Sequence, residues 1–233
     1  MITEPTLKPS LAQKLEKSPG PKRRLRKCID EKPVFFFCKR LADVVFSFLF
    51  IVFILSWLFP VISLLIWLDT GGPVLFLQER VGGGGRAFTC FKFRTIQFGP
   101  DGMPRVTALG NFLRKSNIDE FPQFLNVLMG SMSIVGPRPH THSDCRRFSR
   151  LVTGYKLRNF VKPGITGLAQ IKGFHGPAIC DESIISRYEW DAYYVRHASF
   201  KLDLRIIRMT AFQSLYNLLR LSRRPRVVSQ LAD

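Results

Sequence analysis

The sequence predicts an α+β fold, mainly α, with one long apolar segment ahead of a small globular domain. Three observations predict it. No residue from Val44 to Leu68 is charged. Two strand-like stretches flank a glycine cluster at 82–85, the pattern of a β-hairpin. Further along, apolar stretches recur at helical rather than strand spacing.

The 233 residues suit one domain with an appendage. They are 46% hydrophobic, with 21 Phe. A net charge of +18 and a pI near 10.3 imply polyanionic partners: nucleic acid, anionic lipid or a phosphorylated substrate. Cys28, Cys38, Cys90, Cys145 and Cys180 are odd in number and scattered, without C-x-x-C spacing. That excludes a disulfide framework and fits a reducing, cytosolic exposure. The first apolar run begins at Val34 with no small-residue cleavage pattern behind it, unlike a secretory signal.

Residues 1–33 read as a disordered basic tail ending in Lys22, Arg23, Arg24, Arg26 and Lys27. Such a cluster beside an apolar run is drawn to anionic membrane lipids, and it also fits a solvated linker. Residues 34–68 form the membrane segment. As a helix, Val44–Leu68 reaches roughly 37 Å, enough to cross the hydrocarbon core. Eleven of the 35 Lys/Arg lie within residues 1–40, so both flanks are basic and neither is favoured for export. Pro60 interrupts the run by removing a backbone hydrogen bond. A re-entrant helix-break-helix and a single crossing both fit these residues.

Residues 69–221 form the globular domain, followed by a basic tail at 222–233. Pro73–Gln78 and Phe88–Arg94 read as the hairpin strands. Helices are expected at Leu109–Lys115, at Asp119–Met129 with Gly130 as its stop, at Tyr188–Val195 and at Leu202–Leu221. Residues 133–142 and 161–176 read as Pro/Gly loops. In the last helix Leu204, Ile207, Leu215 and Leu218 gather largely on one side, away from Lys201, Arg205, Arg208 and Arg220. That pattern fits a basic amphipathic helix at a membrane surface, or one packed on the core.

Four stretches carry candidate chemistry. Pro122 places Asp119 and Glu120 at a helix N-terminus, where the macrodipole favours ionised carboxylates. Capping alone explains acids there. Two adjacent acids five residues beyond Arg114 exceed what a cap needs, and could supply a nucleophile and a metal ligand. In Gly136-Pro-Arg-Pro139 two prolines fix the backbone around Arg138, suited to a bidentate grip on phosphate or to a rigid turn. Strand alternation puts Lys92 and Arg94 on one face, beside a glycine turn that permits close approach of a phosphate. His140-x-His142-x-Asp144-Cys145 lacks the second ligand pair that zinc requires. No dinucleotide fingerprint, nucleophile elbow or RNA-binding signature occurs, and no DNA-reading helix, which leaves nucleic acid without a recognition element despite the charge.

These pieces occur in one order, and the chain resembles the bacterial sugar transferases, monotopic phosphoglycosyl transferases that initiate exopolysaccharide, capsule or O-antigen synthesis. The resemblance runs from Lys39-Arg40-x-x-Asp43 to Asp203. It includes Gly72-Pro-Val-Leu-Phe, Gln78-Glu-Arg-Val-Gly82, Lys92-Phe-Arg-Thr95 and Asp119-Glu120-x-Pro-Gln123-x-x-Asn126. It continues through Ser131 to Pro139, Lys162-Pro-Gly-Ile-Thr-Gly-Leu-Ala-Gln170 and Asp191-x-Tyr193-Tyr-Val. The resemblance implies a catalytic dyad of Asp119 and Glu120, with Asp119 the nucleophile on the β-phosphorus of a UDP-sugar. UMP leaves, and undecaprenyl phosphate then takes the sugar phosphate from a covalent aspartate intermediate. It also implies Mg²⁺ held by Glu120 with Asp119, and phosphate contacts from Lys92, Arg94, Arg114 and Arg138. Gln170 and Asp191 become further active-site candidates. The family's membrane segment is re-entrant with its break at a proline matching Pro60, on the cytoplasmic face of the bacterial inner membrane. His140 after the Pro-Arg-Pro loop and the stretch from Lys162 to Gln170 are most similar to the hexose-transferring branch. Ile118 and Phe121 replace the usual leucines around the dyad.

Overall fold

The computed structural model describes residues 29–174, 176 and 180–223; most of the two expected tails, and His175, lie outside the described residues. α1 (Pro33–Phe50), a π-helical turn (Ile51–Leu55) and α2 (Ser56–Thr70) form one continuous helix of 38 residues, long and apolar enough to cross a membrane. The expected break at Pro60 does not occur, because Pro60 lies inside α2. Lacking an N–H, it leaves the Ser56 carbonyl without its helical donor. The irregularity sits directly ahead instead, where the Ser56 N–H reaches back to the Ile51 carbonyl and widens the turn.

Both halves of this helix are tied to the globular domain. On α1, Lys39 pairs with Asp203 at 2.7 Å, and Asp43 accepts from Ser133 Oγ at 2.7 Å and from the Ile134 N–H. Arg40 donates to the Val127 and Leu128 carbonyls. On α2, Ile62 and Ile66 pack with Leu55, Phe93 and Leu113 in one apolar cluster. The outward faces remain bare: Phe37, Phe48, Phe53, Trp57, Leu64 and Leu68 are exposed.

β1 (Leu75–Val81) and β2 (Ala87–Phe93) make the expected antiparallel hairpin, with Leu75 opposite Phe93 and Val81 opposite Ala87. Gly84 and Gly85 turn the chain at left-handed φ of 67° and 80°, where a side chain would be strained. Arg94 falls just beyond β2, so the alternation expected to align it with Lys92 ends first. A second hairpin, β3 (Ile96–Phe98) and β4 (Pro104–Val106), leads into α3 (Ala108–Ser116). Thr107 caps α3, its Oγ1 accepting from the Gly110 N–H at 2.9 Å.

The single helix expected over 119–129 divides into a 3-10 turn (Ile118–Glu120) and a short α4 (Gln123–Leu128), with Pro122 in the capping position between them. Both expected Pro/Gly loops contain structure. β5 (Ser133–Val135) pairs in parallel with β6 (Gly164–Thr166). Between them runs α5 (His142–Leu151), which the sequence reading did not include. A Thr141–Asp144 capping box starts it. α6 (Leu168–Ile171), α7 (Asp181–His197) and α8 (Phe200–Arg223) complete the fold. α8 buries Asp203 and Ile206, while Leu204, Phe212, Leu215 and Leu219 face outward. The apolar stripe read as one face therefore divides: Ile207 packs on the core cluster, and Leu204 and Leu215 stay outside. The result is mostly helical with three two-stranded sheets, an α+β architecture carrying one long apolar helix.

Candidate active site

The turn at Ile118–Phe121 sorts its side chains by chemistry. In a 3-10 turn residues three apart eclipse, so Ile118 and Phe121 share a side and the two acids between them do not. Ile118 and Phe121 pack onto the cluster built by Leu55, Ile62 and Ile66. Phe121 also meets Phe50 edge-on at 5.0 Å, and Phe124 stacks on Phe50 at 4.0 Å. The apolar helix thereby seats the turn, and the turn presents Asp119 and Glu120 away from it.

The two acids have opposite surroundings. Glu120 Oε1 receives Lys92 Nζ at 2.7 Å and Arg138 Nη2 at 2.8 Å, while Arg138 Nη1 reaches Oε2 at 3.4 Å. Burial opposes ionisation of Glu120, but Arg138 and then Lys92 outweigh it and hold the carboxyl well below the usual range. Asp119 accepts no side-chain hydrogen bond from a described residue. Burial, and then the Glu120 charge, push its pKa up to about 6, against the pull of Lys92, Arg138 and Arg114. Cation pairs rather than a helix dipole thus keep Glu120 charged, since α4 has only 6 residues.

The basic candidates separate. Lys92 and Arg138 grip Glu120 directly. Arg114 donates from Nε to Thr95 Oγ1 at 2.8 Å and acts on Asp119 through its charge. Arg94 donates to the carbonyls of Gly72 and Ile96. Gln170 donates to the Ile165 carbonyl, and its own Oε1 has no described partner.

Asp191 sits in a layer behind the loop of Pro137, Arg138 and Pro139. It is 1% exposed and holds Arg158, whose Nε is 2.9 Å from Asp191 Oδ2. Arg158 Nη2 donates to the Arg138 carbonyl at 2.6 Å, and Arg80 Nη1 donates to the Pro139 carbonyl at 2.8 Å. His140 joins this layer through Tyr155 and Arg158. Burial and the charges of Arg158 and Arg187 keep its imidazole neutral. His142 pairs instead with Glu79 at 3.1 Å, and Asp144 is taken by the capping box. Sequence reasoning gave no role to Arg80 or Arg158, since an Arg in a polar stretch reads as a solvated one. The signals available were Arg80's place inside Gln78-Glu-Arg-Val-Gly82 and Arg158's place three residues ahead of Val161-Lys162-Pro163.

No group of three His, Cys, Asp or Glu side chains comes together among the described residues. The oxygens open to a cation are those of Asp119 and the weakly held Oε2 of Glu120. That set fits Mg²⁺, which commonly binds one or two carboxylates and completes its shell with substrate phosphate and water.

Comparisons with known proteins cover most of the chain. Residues 34–217 match the family described as bacterial sugar transferase. The UDP-glucose:undecaprenyl-phosphate glucose-1-phosphate transferase of Escherichia coli (strain K12) is 41% identical over 188 residues, covering 77% of this chain and 40% of that protein. The UDP-N-acetylgalactosamine-undecaprenyl-phosphate N-acetylgalactosaminephosphotransferase of Aeromonas hydrophila is 40% identical over 187 residues, covering 76% and 44%. The exopolysaccharide production protein PSS of Rhizobium leguminosarum bv. phaseoli is 39% identical over 190 residues, covering 76% and 94%. The chain thus spans less than half the length of the first two relatives and nearly all of the third.

Proposed function

The chain belongs to the bacterial sugar transferase family, and we propose that it transfers a hexose 1-phosphate from a UDP-sugar to undecaprenyl phosphate, the opening step of a surface polysaccharide. The names of its relatives support the substrate pair, and they include both glucose and N-acetylgalactosamine as the sugar. The observation that carries the mechanism is the division of labour between adjacent acids. Glu120 is held by two cations, whereas Asp119 accepts no side-chain hydrogen bond from the described residues and is mostly ionised at neutral pH.

Asp119 is the nucleophile. An Oδ atom attacks the β-phosphorus, a new O–P bond forms, and the bond from phosphorus to the bridging oxygen breaks. That oxygen keeps the electron pair and leaves with UMP. The phosphate oxygen of undecaprenyl phosphate then attacks the same phosphorus, and the Asp119 carboxylate leaves unchanged. An anionic nucleophile approaching an anionic phosphate needs fixed positive charge. Lys92, Arg114 and Arg138 supply it from the protein. Asp119 and Glu120 would hold Mg²⁺, which when bound neutralises part of the diphosphate charge.

The lipid acceptor arrives through the membrane, and the turn carrying Asp119 rests on Phe50 and the Leu55 cluster of the apolar helix. Both ends of that helix contact the same charged domain, which supports a re-entrant segment on the cytoplasmic face of the inner membrane. The outward Leu204, Phe212 and Leu215 of α8, beside Lys201, Arg205 and Arg208, support an interfacial position for that helix. Purified protein with UDP-hexoses and undecaprenyl phosphate tests the reaction. UMP release is expected from the native chain and not from Asp119→Asn. Undiminished release by that variant overturns the mechanism.

A further inference from the structure

An open concavity of about 520 Å³ lies beside the glycine turn of the first hairpin. Its lining includes Val81, Gly84, Gly85, Arg146, Arg150 and Lys156. The three cations are exposed, and none forms an ion pair or hydrogen bond with a described residue. Of the neighbouring acids, Asp144 is held by the Thr141 cap and Glu79 lies beside His142. Three cations round one hollow outnumber these two carboxylates, so its potential stays positive and draws an anion in. Gly84 and Gly85 add a wall of bare backbone, because a Cβ at either would meet no atom within 4 Å. A ligand can therefore approach the main chain there closely.

Position supplies the second half of the case. The concavity shares Val81 and Asn159 with a small cleft lined by Pro137, Arg138, Pro139 and Arg158. Arg138 in turn grips Glu120. A ligand whose reacting phosphorus lies at Asp119 thus has a basic hollow continuous with the loop beside it. The volume suits a small molecule rather than a macromolecule. α5, which carries Arg146 and Arg150, packs on the turn at Tyr155–Phe160, on β1 and on α7.

We infer that this concavity holds the nucleoside monophosphate half of the nucleoside-diphosphate sugar, the half that departs. Arg146, Arg150 and Lys156 draw the anionic nucleotide toward the hollow, and the glycine turn gives the nucleoside room. The assignment rests on the transfer reaction proposed above, in which the sugar phosphate stays on Asp119 and the bridging oxygen leaves with UMP.

The test uses the full chain in lipid nanodiscs, with UMP as the probe. UMP affinity is read by equilibrium dialysis, and the KM for the UDP-sugar by UMP release. Arg146→Ala with Arg150→Ala, and Lys156→Ala separately, are expected to weaken UMP binding and raise KM by about tenfold or more, with kcat changed far less. Arg147→Ala, on the same helix but stacked toward Phe148, is the control and keeps native affinity. UMP affinity and KM within about twofold of native in the lining variants overturn the assignment, whatever Asp119→Asn does. Unchanged UMP affinity with weakened binding to phosphatidylglycerol vesicles makes the hollow a headgroup site and equally overturns it. Should no UDP-sugar be turned over, the reaction falls while dialysis still judges the concavity alone.

Discussion

Arg158 donates from Nη2 to the carbonyl oxygen of Arg138 at 2.6 Å, so the backbone of the residue that grips Glu120 is held from behind by a second, buried guanidinium. Asp191 fixes that second group, and His140 and Tyr155 close round it. The polar layer gives the Pro137–Pro139 loop one position. Arg138 is therefore already ordered for the phosphate contact proposed for it.

Removing Asp191 leaves the Arg158 charge buried without its carboxylate. Asp191→Ala is expected to cost about 3–5 kcal/mol of stability, read as a lower urea midpoint. Arg158→Lys keeps the charge but cannot serve Asp191 and the Arg138 carbonyl through one fork. It should lose far less stability and still raise the KM for the UDP-sugar. An unchanged KM would mean that the layer supports the fold and not the loop.

Asp119→Asn should inactivate the protein and stabilise it. The carboxyl's folded pKa, about 6, exceeds its unfolded value, so the folded state binds more protons across the interval between them. Stability falls as pH rises through that window, and the full penalty is present above it. Asn carries no charge and removes the penalty, on the order of 1–3 kcal/mol at pH 7.5. Thermal melts at pH 7.5 and pH 4 check it: the gain in Tm should shrink at the lower pH.

The same carboxyl sets a limb in the pH profile. With Asp119 required as the anion, kcat/KM for the UDP-sugar should fall below about pH 6, approaching tenfold per unit. Glu120→Gln removes the like charge that raises Asp119 and frees Lys92 and Arg138 to face it, so any residual activity should show its limb at lower pH. A limb that stays in place identifies another group as the titrating one.

Gly164 and Gly136 approach so closely that a Cβ on Gly164 would lie 2.1 Å from the Gly136 nitrogen. That nitrogen and the Thr166 carbonyl oxygen, which the Cβ would meet at 2.3 Å, are backbone atoms that cannot swing aside. Gly164→Ala should therefore separate β5 from β6, displace the adjoining loop and cost about 3 kcal/mol or more. Circular dichroism with UMP-release assays would detect both effects.

How legible these features are in the sequence depends on whether their signal is local. The Val44–Leu68 run, the hairpin around the glycines and the Asp119–Glu120 pair all stand out in short windows. β5 and β6 do not, because each spans three residues, too few for a period to register. α5 has only a short apolar face, Phe148 with Cys145, among polar residues, and its Thr141–Asp144 capping box was the clearer signal. The loop's support by Arg158 and Arg80 is only faintly marked in sequence, since their bonds to the Arg138 and Pro139 carbonyls are what distinguish them from surface arginines. The opposed states of Asp119 and Glu120 depend on Lys92 and Arg138, 28 and 18 residues from Glu120 along the chain.

The last prediction concerns the apolar helix. Lys39, Arg40 and Asp43 bind one end of it to the globular domain, and Ile62 and Ile66 bind the other. At about 1.5 Å per residue the 38 residues would extend roughly 57 Å if straight, longer than a bilayer's hydrocarbon core. A crossing helix would leave one of those attachments in the membrane or on the far side, exposing Lys39, Asp43 and Asp203 to hydrocarbon or breaking their pairs. A helix that enters and leaves by one face keeps all of them. Single cysteines at Leu41 and Asp69, both exposed, separate the two cases in a background without the native thiols. In sealed inverted vesicles both positions should react with a membrane-impermeant maleimide, and in intact cells neither should. Protection of one position alone means a crossing helix, and would detach the Phe50–Phe121 contact from the membrane surface where the lipid phosphate must arrive.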